Sequence, residues 1–230
     1  MAPRKPLAQA AADSIMNYIR ENDLKPGDKI PTEPELASLL KVGRGTVREA
    51  VGSLVSRNIL DVRQGSGTFI SDKQGVVEDP LGLNLYSDDL QTALEIMEVR
   101  LMIEPQIAFR AALEASDEQI AALEEQCALI EKQIRNGKPY RKEDARFHQM
   151  IGECCRNTII ARLIPVITSS VIRNVDATRD RYRRQTLIHH RQVMNAIAAH
   201  DPYTAQYTMT THLSILHSGI LEAIQAQKQN

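Results

Sequence analysis

Asp144 and His148 stand four residues apart in the run DARFHQMI, so a helix there carries both on one face. Phe147 and Ile151 turn that face toward a core. His190 heads a second pattern, with Val193, Met194 and Ile197 at i+3, i+4 and i+7. His212 falls in a third, among Ala205, Met209, Leu213 and Leu216. One carboxylate and three imidazoles are therefore expected to point inward from three helices. Buried polar groups need partners, and this donor set suits a first-row divalent metal. A hydrogen-bonded polar pocket without metal would use the same residues. His189 and His217 fall off these faces and are expected to be exposed.

A second group lies nearer the N-terminus. Val47, Ala50, Val51 and Leu54 follow helical spacing, which places Gly45, Arg48, Glu49 and Gly52 on the opposite side. Arg44 opens that helix and Thr46 sits at its edge. Two arginines four apart reach in one direction, and a guanidinium can fork onto phosphate or guanine. Two solvated charges remain the plainer alternative for any such pair. Arg100, in an E-x-R run, either meets a ligand carboxylate or pairs internally with Glu104 one turn on. Asn157 either lines a pocket or caps the helix that begins after it.

The elements that must position these residues are legible in outline. Residues 7–20 show helical spacing through Leu7, Ala11, Ile15, Tyr18 and Ile19. Pro26-Gly27 breaks that pattern, and Thr32 with Glu35 forms a capping box for a second helix bearing Leu36, Leu39 and Leu40. Val42-Gly43 is a tight turn into the arginine-bearing helix, 45–57. The run ILDVR, a GSG turn and TFI then read as a β-hairpin. Helices follow at 88–115, 117–136, 140–155, 158–176, 179–200 and 202–227, with Ser116 and Gln119 capping the second. The expected fold is mainly α: a winged helix-turn-helix at 1–71, a linker at 72–87, and an all-α helical bundle at 88–230. In that arrangement the second helix of the motif enters the major groove.

Bulk composition excludes several classes. No apolar run among the 230 residues is long enough to cross a bilayer, and the N-terminal stretch lacks a signal-peptide core. Three cysteines, two of them adjacent at 154 and 155, make neither a disulfide framework nor a CxxC knuckle. A cytoplasmic protein with reduced thiols is expected. Net charge is −1 overall. Residues 1–71 hold ten Lys and Arg against eight Asp and Glu, while the remainder holds 18 against 21. So weak a basic excess means that DNA binding must rest on placement.

The stretch PGDKIPTEPELA, the R-x-x-V-R-E-A core at Arg44, Val47, Arg48, Glu49 and Ala50, and the wing GSGTFI resemble the DNA-binding domain of the GntR family. The resemblance covers nearly all of 7–71. It implies DNA contacts from Arg44, Thr46 and Arg48, and from Gln64, Gly65, Ser66 and Gly67 at the wing tip. Pro34 stands where the family often has a DNA-touching Arg, and Gly43 where it often has Ser. Further on, EIMEVRLMIEPQIA, DARFH, HHRQVMNAIAAHD and TTHL resemble the FCD effector domain over about 90–220. That implies a divalent metal, commonly zinc or nickel, on Asp144, His148, His190 and His212 beside a small-molecule cavity. The fatty-acyl-CoA-binding relatives lack this set, and effectors of the metal-bearing kind are often small carboxylates. The expected protein is a homodimeric repressor on a pseudo-palindromic operator, released by such an acid, with Arg100 and Asn157 as effector-site residues. Two rivals stand beside it: a purely structural metal with no effector, and a metal-dependent hydrolase. The second lacks a spare general base and leaves the winged helix unexplained.

Overall fold

The computed structural model describes residues 6–73, 75, 80–82, 90–174 and 176–229, with backbone alone at 169–174 and 176–181. The chain divides into two compact units, Met1–Pro80 and Leu81–Asn230. Most of the expected linker lies outside the described residues.

The first unit runs α1 (Leu7–Glu21), α2 (Glu33–Leu40), α3 (Arg44–Ser56), β1 (Leu60–Arg63) and β2 (Gly67–Ile70). Glu35 accepts from both the backbone N–H and the hydroxyl of Thr32 at 2.7 Å, which fixes the start of α2. Lys41 ends α2 in the left-handed region, φ 53°, and Gly43 leads into α3. The strands pair antiparallel, Leu60 with Ile70 through Arg63 with Gly67. Residues 28–30 add along β2: Ile70 donates to the Asp28 carbonyl at 2.8 Å, and Ile30 to that of Thr68 at 3.0 Å. Ile15, Leu36, Val47, Ala50, Leu54 and Leu60 are fully or almost fully buried and bind the three helices to the hairpin. This core leaves the polar side of α3 facing outward.

The second unit is wholly helical in its described residues: α4 (Leu90–Glu114), α5 (Asp117–Arg135), α6 (Arg141–Glu153), α7 (Thr158–Asn174), α8 (Asp176–Ala198) and α9 (Pro202–Gln229). Ser116 and Gln119 form the expected capping box at the start of α5. The pair α4 and α9 packs along its length, α9 packs on α8, and α6 lies against α7, α5 and α4. Phe147, Ile151, Leu123, Ile197 and Met209 are at most 1% exposed and form the centre of the core. Arg191 ties α8 to α5, reaching Glu131 at 2.8 Å and Glu124 at 2.6 Å, and so holds the turn of α8 that bears His190. Gln126 donates to the Glu143 carbonyl at 2.8 Å and sets α5 against the start of α6, next to Asp144. Among the described residues no helix is long and apolar enough to cross a membrane.

Candidate metal centre and DNA-reading surface

Three histidines from three helices meet in the core of the bundle. His148 on α6, His190 on α8 and His212 on α9 are each at most 2% exposed. Each offers a ring nitrogen, and the three lie within 4.8 Å of one another. Nε2 of His190 is 3.2 Å from Nε2 of His212 and 3.5 Å from Oδ1 of Asp144. Tetrahedral ligand atoms about 2.0 Å from zinc stand about 3.3 Å apart, so these two separations fit a shared cation. Phe147 packs on the His190 ring at 4.8 Å and keeps one side of the site apolar.

Protonation favours the same use. Burial pushes His190 down to about 3, more than neighbouring Asp144 restores. Burial also pushes His212 well below its ordinary value, and His190, His148 and Arg100 add to the effect. Both imidazoles are neutral at pH 7, the form a metal takes. Nε2 of His148 and Nδ1 of His190 are buried without a hydrogen-bond partner among the described residues. A fully buried polar atom left bare costs about 1–3 kcal/mol. A cation on Nε2 of His148 would remove one such cost. The three histidines therefore fit a divalent metal, with the Asp144 carboxylate beside His190.

Behind them stands a charged pair that the sequence showed only in part. Arg100 is 1% exposed and donates from Nε to Oε1 of Glu104 at 2.5 Å and from Nη2 to Oε2 at 3.4 Å. Oε2 of Glu104 also lies 2.6 Å from Nδ1 of His148, an ion-pair approach without the alignment of a formed hydrogen bond. Burial alone would raise Glu104, but Arg100 and His148 outweigh it and hold the carboxyl at about 2. An ionised carboxylate beside Nδ1 favours the Nδ1–H tautomer, leaving Nε2 as the bare ligand atom. Replacing this outer carboxylate is expected to weaken metal binding. Glu104→Gln should raise the zinc Kd by about 10- to 100-fold, measured by competition with a chromogenic chelator. An unchanged Kd would make Glu104 a partner of Arg100 only.

Of the two residues expected at an effector site, Arg100 takes the internal pairing with Glu104. Asn157 is exposed and caps α7, its Oδ1 accepting from the backbone of Ile159 at 3.0 Å and Ile160 at 3.2 Å. His189 and His217, expected at the surface, are both half-buried. His189 packs edge-on against His212 at 6.1 Å, and His217 lies 3.9 Å from Glu98 across the α4–α9 contact. The helix crossings, which spacing within one helix does not reveal, cover them. Burial pushes Cys127 and Cys154 up to about 11 and Cys155 to about 12, so the thiols stay protonated.

In the first unit, Arg44, Gly45, Arg48 and Glu49 are exposed along α3, with Thr46 half-buried at the edge. Arg48 Nε meets Glu33 at the start of α2 at 3.3 Å, an exposed pair of small energetic weight. Open space lies around Gly45 and Gly52. Gln64, Gly65 and Ser66 form an exposed wing tip, and Gly65 at φ 73° and Gly67 at φ 120° take turn conformations that suit glycine. Arg63 stacks over the Phe69 ring at 4.3 Å, and the Lys29 side chain lies against Gly67. Sequence reasoning misses these two wing cations, since nothing in residues 28–30 signals an added edge.

An exposed recognition helix, a short wing and a separate helical domain with a buried His cluster define a class: a DNA-binding regulator with an effector domain. Similarity to known proteins carries this further. Residues 7–70 match the model for bacterial regulatory proteins of the gntR family, and residues 95–214 match the FCD domain. The chain belongs to the GntR family of transcriptional regulators and carries an FCD domain. It is 29% identical over 221 residues to the uncharacterized HTH-type transcriptional regulator YcbG of Bacillus subtilis, covering 96% of this chain and 93% of that one. It is 32% identical over 231 residues to the putative L-lactate dehydrogenase operon regulatory protein of Escherichia coli, covering 94% and 86%. The solved structure of Streptococcus agalactiae GntR superposes with a TM-score of 0.81 at 38% identity, over 92% of this chain and 99% of that one. The named relatives are transcriptional regulators, not enzymes.

Proposed function

We propose that this chain is a cytoplasmic homodimeric repressor that leaves a pseudo-palindromic operator when a small carboxylate binds beside a divalent metal in its FCD domain. The observation that carries this is the convergence of His148, His190 and His212 with Asp144 in the bundle core. Zinc or nickel on these residues would supply a Lewis-acidic pole for a carboxylate. Arg100 acts through Glu104, which orients His148, and Asn157 acts by fixing the start of α7. Arg44, Thr46 and Arg48 meet the major groove, with Gln64, Gly65, Ser66 and Gly67 on the adjacent backbone. The relatives described as NanR are transcriptional repressors, which favours the same sign here.

An effector shifts DNA affinity only if it binds the two states of the protein unequally. The test is a fluorescence-anisotropy titration of an operator selected from a random duplex library by the zinc-loaded protein. A panel of small organic and sugar acids is then added. At least one acid is expected to weaken binding by about 5- to 150-fold, the usual range of allosteric coupling. A flat response across the panel, with loss of the fold when zinc is removed and no stabilisation by any acid, would favour a structural metal instead.

A further inference from the structure

The outer face of the wing carries two cations that the expected DNA contacts do not include. Ile30, Leu60 and Ile70 are buried and turn one side of the ribbon into the core. Side chains alternate along a strand, so Asp61, Arg63, Gly67 and Phe69 share the opposite side. Lys29 bridges to Phe69 across the free edge of β2, which puts its side chain on that outer side as well. Both cations reach the Phe69 ring: Arg63 Cζ lies 4.3 Å and Lys29 Nζ 5.9 Å from its centroid.

Several features suit this pair to phosphate. Both side chains are exposed. Among the described residues neither joins an ion pair, and Lys29 is the smallest of the influences on the Glu35 carboxyl. Two like charges gathered at one ring repel each other, and an anion beside them relieves that cost. Contact with the ring limits the freedom of each side chain, so less is lost on binding. Gly67 leaves Lys29 its path, since a Cβ there would stand 2.5 Å from Lys29 Cε. The geometry also fits a groove. Residues 28–30 and β1 flank β2 on opposite edges, so the two cations leave backbones about 10 Å apart. The minor groove is about 6 Å wide. A tip entering it at Gln64, Gly65 and Ser66 brings one cation toward each rim, where the phosphates stand.

We propose that Lys29 and Arg63 clamp the DNA backbone on either side of the wing tip, one phosphate each, and fix the register of the wing without reading sequence. This rests on the reading that the wing tip meets the DNA backbone. It is independent of the metal and of any effector.

Anisotropy of the selected operator and of a scrambled duplex, between about 50 and 200 mM salt, tests this with the full-length chain. Lys29→Met and Arg63→Met remove each charge and keep an apolar stem over Phe69. Each is expected to lower the slope of log K against log salt by about one, and the double variant by about two, on both duplexes alike. Lys29→Arg and Arg63→Lys should keep the wild-type slope. Lys132→Met removes an exposed lysine from α5 and should leave the slope unchanged. Ser66→Glu sets a negative charge at the tip and should weaken binding to both duplexes. A wild-type slope in either Met variant, with Ser66→Glu weakened, would overturn the clamp and leave the wing reading standing. An equal loss of slope in Lys132→Met would overturn it too, by reducing the effect to net charge. Full affinity in Ser66→Glu would overturn both readings. Phosphate ethylation interference on the wild-type complex needs no variant: interfering phosphates are expected on both rims beside the wing, and none there would overturn the clamp.

Discussion

Arg44→Ala and Arg48→Ala are each expected to weaken binding of the selected operator by about 5- to 150-fold, the effect of losing about 1–3 kcal/mol per arginine fork. Both side chains leave the exposed side of α3, whose opposite side is buried through Val47, Ala50, Val51 and Leu54. The substitutions therefore leave the core of the first unit intact. The salt dependence separates their roles. Removing an arginine that binds phosphate should lower the slope of log K against log salt by about one and act on all sequences alike. Removing one that reads a base should relax preference at one position. Arg48 must exchange its Glu33 partner for DNA, but that pair is exposed and costs little to break. Glu33→Gln should therefore leave specificity unchanged and raise non-specific affinity slightly. Wild-type affinity in both arginine variants, measured by anisotropy at fixed salt, would remove α3 from the interface.

The metal should add measurably to the stability of the bundle. At a free zinc concentration about 100 times its Kd, binding to the folded state adds about 2.7 kcal/mol. For a unit of this size that raises Tm by about 5–10 °C. The metal-free chain should also lose stability in acid. His190 titrates near 3 in the folded chain against an ordinary value of 6.5. Between those values the unfolded state binds the extra proton, so stability is full above about 6.5 and falls as pH drops toward 3. The depressed His212 acts in the same direction. Glu104, held at about 2, adds a further loss below its ordinary value of 4.5. Urea midpoints of chelator-treated protein from pH 7.5 to 5 check this, and a flat series would contradict the buried, neutral histidines.

Much of the fold and the site is legible in the amino-acid sequence, for physical reasons particular to each element. Periodic apolar residues place the helices, because a helix with one buried face must repeat at that spacing. Thr32 with Glu35 and Ser116 with Gln119 mark two starts, because orphan N–H groups require such partners. Helix α8 starts at Asp176, three residues before the expected Arg179, in a polar first turn that carries no apolar period. Asp144, His148, His190 and His212 stand out because polar residues interrupt apolar stripes. The approach of Glu104 to His148 does not, since it depends on where α4 crosses α6. The half-buried state of His189 is equally hidden, being set by α9 rather than by α8. Lys29 beside Gly67 depends on a backbone bridge to β2 that follows a Pro-Gly turn and has no strand signature of its own.

The metal centre is tested most directly by the metal content of the purified full-length chain, by elemental mass spectrometry after zinc or nickel loading and desalting, for wild type and His190→Ala. Close to one metal per chain is expected in wild type and a loss of most of it in the variant, since His190 Nε2 lies close to both His212 and Asp144. Wild type without bound metal, or His190→Ala retaining as much as wild type, would contradict the centre and leave Asp144 and the three histidines as a hydrogen-bonded pocket.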